Sequence, residues 1–341
     1  MAATLPVDPL IGSTLGGWRI ERALGGGKSS RVYKARHERL NRRAALKVLD
    51  ARLIKDEDAV SRFFCEARAV AELNAEHLID VFDFVYDPAR GQIAYAMELL
   101  RGRDLRQILE TSKVVAPVRA ARIAAQLCDA LSAIHKVGVV HRDLRPSNVM
   151  LVRRGGDADY VKLLDFGLAR FPGRVRHATA AGAQVGSPVY MAPEQVASPD
   201  VDARADVYAV GCILYQMLTG RPPFVGETAD AIVAQKTSAT RAPSPIGDHG
   251  GGPVSPALAG IVQRMLARDP DERYPDAQSA RAALLAGAEL HDPWVSDDRT
   301  VAVPPLAPRT HVPIALRVRS VGLGLAFAAG LASGLILAFV R

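Results

Sequence analysis

Asp143, Asn148 and Asp165 are spaced as phosphoryl-transfer chemistry requires. The segment His141-Arg142-Asp143-Leu144-Arg145-Pro146-Ser147-Asn148 sets an amide five residues after a carboxylate, and Asp165-Phe166-Gly167 sets a second carboxylate 22 residues after the first. One carboxylate can orient an attacking hydroxyl and accept its proton. The amide and the other carboxylate offer hard oxygens that suit magnesium held against phosphates. Lys47 lies inside the apolar run Ala44-Ala45-Leu46-Lys47-Val48-Leu49, where a buried ammonium needs an anionic partner. Leu24-Gly25-Gly26-Gly27-Lys28-Ser29-Ser30-Arg31-Val32 is a glycine-rich turn whose backbone amides could close over a triphosphate. Gly27-Lys28-Ser29 also imitates the end of a P-loop, but Arg22 stands where that motif needs glycine, and a strand pattern follows instead of a helix.

The elements that must hold these residues change character along the chain. Residues 18–100 are mostly strand-like, with strands expected at 31–35, 44–49, 81–85 and 93–97. A helix at 58–74 interrupts them, with apolar Phe63, Ala67, Val70 and Ala71 at helical spacing. Beyond residue 100 helices dominate, at 117–136, 202–219, 228–237, 256–268 and 276–286. Pro117 opens the first of these, where a missing amide hydrogen costs little.

In this order and at these spacings the motifs resemble the eukaryotic-type (Hanks-type) protein kinase family, over about residues 18–286. The resemblance implies an α+β, two-lobed protein kinase fold: a β-rich N-lobe with one helix (18–100) and an α-helical C-lobe (101–286). It implies that Asp143 is the catalytic base, that Asn148 and Asp165 are the metal ligands, and that Lys47, paired with Glu66, meets the phosphates of ATP. The cofactors implied are ATP and Mg2+, with Mn2+ as a substitute. Leu24, Gly25, Gly26, Gly27, Lys28, Ser29, Ser30 and Val32 would cover the nucleotide. Leu24, Val32 and Ala45 would line the faces of adenine, Met97 would lie behind it, and backbone groups of Glu98 and Leu100 would bond it. His141, Phe166, Val70 and Asp206 would form the internal spine.

Two residues depart from the family pattern. Ser30 replaces the third glycine of the loop. Arg145 stands where lysine usually stabilises the transferring phosphoryl group; it keeps the charge and can grip two oxygens, but it is bulkier. Pro146 and Ser147 match Ser/Thr kinases, as does the segment Gly186-Ser187-Pro188-Val189-Tyr190-Met191-Ala192-Pro193-Glu194. Ser187 would touch the base, and Glu194 would form a buried pair with Arg273. Arg142 could clamp a phosphorylated Thr179 or, second, Ser187; an unmodified loop threonine stays open as the plainer reading.

Hydrophobic residues make up 49% of the 341 and charged residues 23%, the balance of an ordered globular protein. The net charge of +7 comes without a basic block interleaved with aromatics, so nucleic acid is not an expected partner. Cys65, Cys128 and Cys212 have no metal-site spacing and read as buried free thiols. Residues 1–17 read as a flexible start without a signal peptide. Residues 287–316 form a Pro-rich juxtamembrane linker, and 317–341 a membrane anchor. Its span, 321–340, is twenty uncharged residues, or about 30 Å of helix. Arg317 and Arg319 before the span place the kinase-like part in the cytoplasm, on a single-pass inner-membrane protein in contact with membrane lipid. Gly330 and Gly334, four apart, would suit a homodimer through this helix.

The reading that follows is an ATP-dependent Ser/Thr protein kinase that autophosphorylates and phosphorylates protein substrates in membrane-linked signalling. It is similar to bacterial receptor-type Ser/Thr kinases but has no external sensor domain. A membrane-tethered ATP-binding scaffold is the rival, favoured only by Ser30 and Arg145. A small-molecule kinase of the same fold is a third reading, opposed by the 186–194 segment.

Overall fold

The computed structural model describes residues 8–27, 29–73, 75–87, 90–165, 187–198, 201–238, 240–247 and 251–288, apart from the side chains of residues 62, 65, 66 and 69. The first part of the chain forms a six-stranded antiparallel sheet: β1 Thr14–Leu15, β2 Trp18–Gly26, β3 Ser30–His37, β4 Arg43–Leu49, β5 Val81–Asp87 and β6 Gln92–Met97. Their order is β1-β2-β3-β4-β6-β5. β4 is central and buried on both faces from Ala44 to Leu49, an apolar run interrupted only by Lys47. Leu15, Trp18, Ile20, Tyr33, Leu46 and Val85 make one small core. Helix α1, Glu57–Leu73, sets Phe63, Ala67 and Val70 into the larger core with Tyr95 and Leu78, whereas Ala71 faces solvent.

Residues 8–17, expected to be a flexible start, pack onto this sheet. Thr14 and Leu15 pair with Arg19 and Trp18, and Leu15 is wholly buried. The connecting turn needs positive φ at Gly16 and Gly17 (57° and 86°), conformations that glycine adopts without steric cost. The Asp8 carboxylate accepts hydrogen bonds from Tyr33 (2.8 Å) and Arg31 (3.0 Å), fixing the segment to β3. The alternation of polar and apolar residues here is too short to register as a strand, so only tertiary contacts reveal it.

The second part is helical: α2 Leu105–Ser112, α3 Pro117–His135, α4 Pro193–Ala197, α5 Arg204–Thr219, α6 Ala229–Thr237, α7 Pro256–Met265 and α8 Ala277–Gly287. Thr228, Ser255 and Asp276 cap α6, α7 and α8 by accepting the amides of Ala231, Leu258 and Ser279. α5 is buried along almost its whole length and ends at Gly220 in the left-handed region. Cys128 and Cys212 are buried free thiols, and burial pushes Cys128 up to about 12, so it is inert at neutral pH. A three-stranded sheet, β7 Gly102–Asp104, β8 Val149–Arg154 and β9 Asp157–Leu163, lies within this part. Among the described residues no helix is long and apolar enough to cross a membrane. The segments 289–316 and 321–340 lie outside them.

Candidate active site

The β8–β9 hairpin brings Asn148 and Asp165 together. Asn148 ends a short 3-10 turn, Pro146–Asn148, and leads directly into β8; Leu164 and Asp165 leave β9. Val149 pairs with Leu163, and the Leu164 amide donates to the Asn148 carbonyl at 2.8 Å. Positive φ at Gly155 and Gly156 closes the hairpin turn. Seventeen residues of sequence thus collapse to adjacent positions.

The buried carboxylate of Asp206, near the start of α5, organises the segment that carries Asp143. It accepts the backbone amides of His141 (2.8 Å) and Arg142 (2.9 Å) and lies 2.8 Å from His135 Nε2. Burial works against its charge, but these partners hold it ionised, below the usual carboxylate range. Arg142 adopts φ 66°, a strained conformation for a residue with a long side chain, and the two amide bonds to Asp206 enforce it. Asp165 is also left-handed, at φ 51°. The Asp143 amide donates to His141 Nδ1, and Asn148 Nδ2 donates to the Asp143 carbonyl at 3.0 Å, which orients the amide and presents its oxygen.

Across the cleft, Lys47 Nζ donates to Asp165 Oδ1 at 2.7 Å. Lys47 is buried while the Asp165 carboxylate is half exposed. Surrounding protein disfavours the charge of Asp165, but the Lys47 ammonium outweighs this and holds the carboxyl below its ordinary range. At Asp143 the balance is reversed. Desolvation raises its pKa and outweighs the opposing pull of Arg145, whose Nε lies 3.8 Å away, and of the Ser187 amide.

Register places the remaining lining. Val32 pairs with Lys47 across β3 and β4, and Ala45 pairs with Met97 across β4 and β6. A cavity behind them is lined by Val32, Val70, Tyr95, Met97, Leu164 and Asp165. After Met97, the Glu98 amide is taken by the Asp80 carbonyl. The Glu98 carbonyl and the Leu100 amide have no backbone partner among the described residues, so they offer one acceptor and one donor to a planar ligand. At the glycine turn, a Cβ at Gly25 or Gly27 would meet nothing within 4 Å, whereas one at Gly26 would crowd Arg31 and the Ser30 carbonyl. Ser30 is buried, so its side chain is accommodated within the strand.

The donor set fits a magnesium–triphosphate ligand. Asn148 and Asp165 offer hard oxygens, and among the described residues no three His, Cys, Asp or Glu side chains converge on a metal position. A cation there must complete its shell with phosphate and water oxygens, the habit of Mg2+.

A protein kinase domain model matches residues 18–285. The chain belongs to the eukaryotic-type Ser/Thr protein kinase family. It is similar to serine/threonine-protein kinase Pkn1 of Myxococcus xanthus, at 41% identity over 285 residues, 83% of this chain and 40% of that protein. Serine/threonine-protein kinase pkn3 of the same organism is 38% identical over 287 residues, 83% of this chain and 52% of its own length. Serine/threonine-protein kinase PknB of Mycolicibacterium smegmatis is 38% identical over 271 residues, 79% and 42% of the two chains. The chain therefore spans about half the length, or less, of these curated relatives.

The kinase fold brings together Lys47, Asp143, Arg145, Asn148 and Asp165, with Val32, Ala45, Met97, Glu98 and Leu100 around them. Arg273 binds both oxygens of Glu194, at 2.7 and 2.8 Å, and donates to the carbonyls of Ala267, Arg268 and Arg204. The side chain of Glu66 and all of Lys28, Phe166 and Thr179 lie outside the described residues. Two functional contacts escaped the sequence reading. Lys162 on β9 is buried and bridges Glu98 Oε1 (2.6 Å) and the Leu78 carbonyl (2.9 Å), tying the segment after β6 to the strand that leads to Asp165. Its sequence signal, a lone lysine in Val161-Lys162-Leu163-Leu164, is the one that marked Lys47. Gln195 clasps the Ala192 amide and the Arg142 carbonyl, joining α4 to the segment that carries Asp143.

Proposed function

We propose that this protein transfers the γ-phosphoryl group of Mg-ATP to Ser or Thr hydroxyls of proteins, itself included. The observation that carries this reading is the 2.7 Å pair between Lys47 and Asp165, 118 residues apart in sequence, set beside Asp143 and Asn148. When bound, Mg-ATP supplies an activated phosphoryl group and a divalent charge that neutralises the phosphates. Asn148 and Asp165 would hold the metal, and Lys47 would bind phosphate oxygens. The glycine turn would cover the phosphates, while the Glu98 carbonyl and Leu100 amide would bond adenine.

Asp143 orients the acceptor hydroxyl and takes its proton on a carboxylate oxygen. Desolvation raises the basicity of that carboxylate, which favours proton acceptance. Arg145, beside it and partly exposed, supplies positive charge toward the transferring group. The Ser187 amide faces Asp143 and favours its charge, so the 187–194 segment begins beside this carboxylate, which supports a Ser/Thr preference. Intact-mass and fragment mass spectrometry after incubation with ATP and Mg2+ tests autophosphorylation. Phosphate on Ser or Thr is the expected result, and its absence from every residue contradicts it.

The uncharged span 321–340 and the arginines before it support a membrane-linked role for the domain, with the kinase on the cytoplasmic side and pairing through Gly330 and Gly334. Alkaline carbonate extraction tests this: the full chain should stay with the membrane pellet, and release into the supernatant would reject the anchor.

A further inference from the structure

Lys236 lies in the last turn of α6 and is only 3% exposed. A buried ammonium ordinarily finds a carboxylate. Lys236 instead donates to two backbone carbonyls, those of Val189 and Met191, each at 2.7 Å. Its ammonium also lies 5.1 Å from the ring centre of buried Tyr208, and the Arg273 guanidinium lies 4.8 Å from the same ring. Burial pulls the Lys236 pKa down, so holding the charge there carries a cost.

The two carbonyls flank Tyr190, whose hydroxyl donates to Gln216 at 2.7 Å. The segment around them begins where the Ser187 amide faces Asp143 and is anchored at its end, where Glu194 grips Arg273. Lys236 supplies the anchor between these points. We propose that Lys236 is a positioning residue for the protein acceptor: by fixing the carbonyls of Val189 and Met191 it sets the 188–191 segment against Asp143, and it acts on acceptor docking without touching the nucleotide. This rests on the Ser/Thr kinase reading above.

The test compares the full chain with Lys236→Met, which keeps the side-chain volume but has no donors, and Lys236→Arg, which keeps charge and donors. The probe acceptor is dephosphorylated casein. In Lys236→Met the KM for casein should rise about tenfold or more, while the KM for ATP and acceptor-free ATP hydrolysis stay within about twofold; Lys236→Arg should recover most of the difference. An unchanged casein KM in Lys236→Met overturns the proposal. So does a parallel loss of ATP hydrolysis and casein phosphorylation, which marks a purely structural residue. If Lys236→Met does not fold, Lys236→Leu, which also lacks donors, is read the same way, and failure of both to fold also overturns it. A wild-type chain that phosphorylates neither casein nor itself would refute the kinase reading instead. Hydrogen exchange at the Tyr190 and Met191 amides would then decide separately: faster exchange confined to them in Lys236→Met supports the anchor, and unchanged exchange rejects it.

Discussion

Asp143 and Asp165 are two carboxylates on one short turn system whose surroundings drive them apart. Asp165 is held ionised by Lys47, whereas desolvation makes Asp143 the more basic of the two. Replacing Asp143 by Asn should lower the rate of phosphate transfer by about 10²–10⁴-fold, the usual span for a general base. The same change should leave the melting temperature equal or higher, because it removes a charge that the fold disfavours; a lower melting temperature would count against this environment. A base must be ionised to act, so kcat/KM should fall as pH drops through the Asp143 value. The acid limb should therefore lie above the ordinary aspartate value of 3.8. Arg145 pulls that value down, so Arg145→Ala should move the limb to still higher pH. Matched pH–rate profiles of the two proteins check both statements, and an unmoved or lowered limb contradicts the second. The convergence of Asp143, Asn148 and Asp165 was legible in the sequence because phosphoryl transfer tolerates few substitutes for an acid, an amide and an acid at those intervals. Lys236 was not legible: in Ala234-Gln235-Lys236-Thr237 it looks like any lysine at the end of an exposed helix, and only the chain 45 residues earlier gives it partners.

Two elements carry predictions of their own. Arg273 is fully buried, and its guanidinium satisfies Glu194 and three carbonyls at once. Arg273→Met would leave Glu194 unpaired and should cost about 3 kcal/mol, seen as a shifted denaturation midpoint with an unchanged slope. A cost below ~1 kcal/mol would show that the pair does not hold α4 to the helical lobe. The segment before β1 behaves differently. Burial raises the Asp8 pKa, but the amide of Leu10 and the side chains of Tyr33 and Arg31 outweigh it, so the net value is lowered. A lowered carboxyl pKa stabilises the fold above the unfolded value, and that stability is lost as pH falls through the folded value. Asp8→Ala should therefore destabilise by about 1 kcal/mol at neutral pH. The difference from wild type should shrink on acidification below the ordinary aspartate range; a pH-independent difference would contradict the linkage. Long or strongly periodic elements such as α3 and β4 were legible. The two-residue β1, the three-residue β7 and the five-residue α4 were not, since each is defined by what it pairs with and has no period of its own. β8 and β9 were not legible either, because their buried residues come in blocks at one end of each strand and lack a period of two.

At the scale of the molecule, one helical lobe and one sheet-rich lobe meet where a lysine from β4 touches a carboxylate that follows β9. Around that meeting, Asp206 fixes the segment that carries Asp143, the hairpin sets Asn148 beside Asp165, and Lys162 ties Glu98 to the same hairpin. The two-lobed architecture was legible from the change of period near residue 100, and the family match over residues 18–285 agrees with it. The expected anchor at 321–340 rests on its uncharged composition and length alone. The most direct test is transfer of labelled phosphate from γ-labelled ATP with Mg2+ by the full 341-residue chain, beside its Asp143→Asn variant. Label on Ser or Thr of casein and of the chain itself, lost in the variant, is the expected result. Label that persists undiminished in Asp143→Asn, or no label at all despite measurable ATP binding, would contradict it.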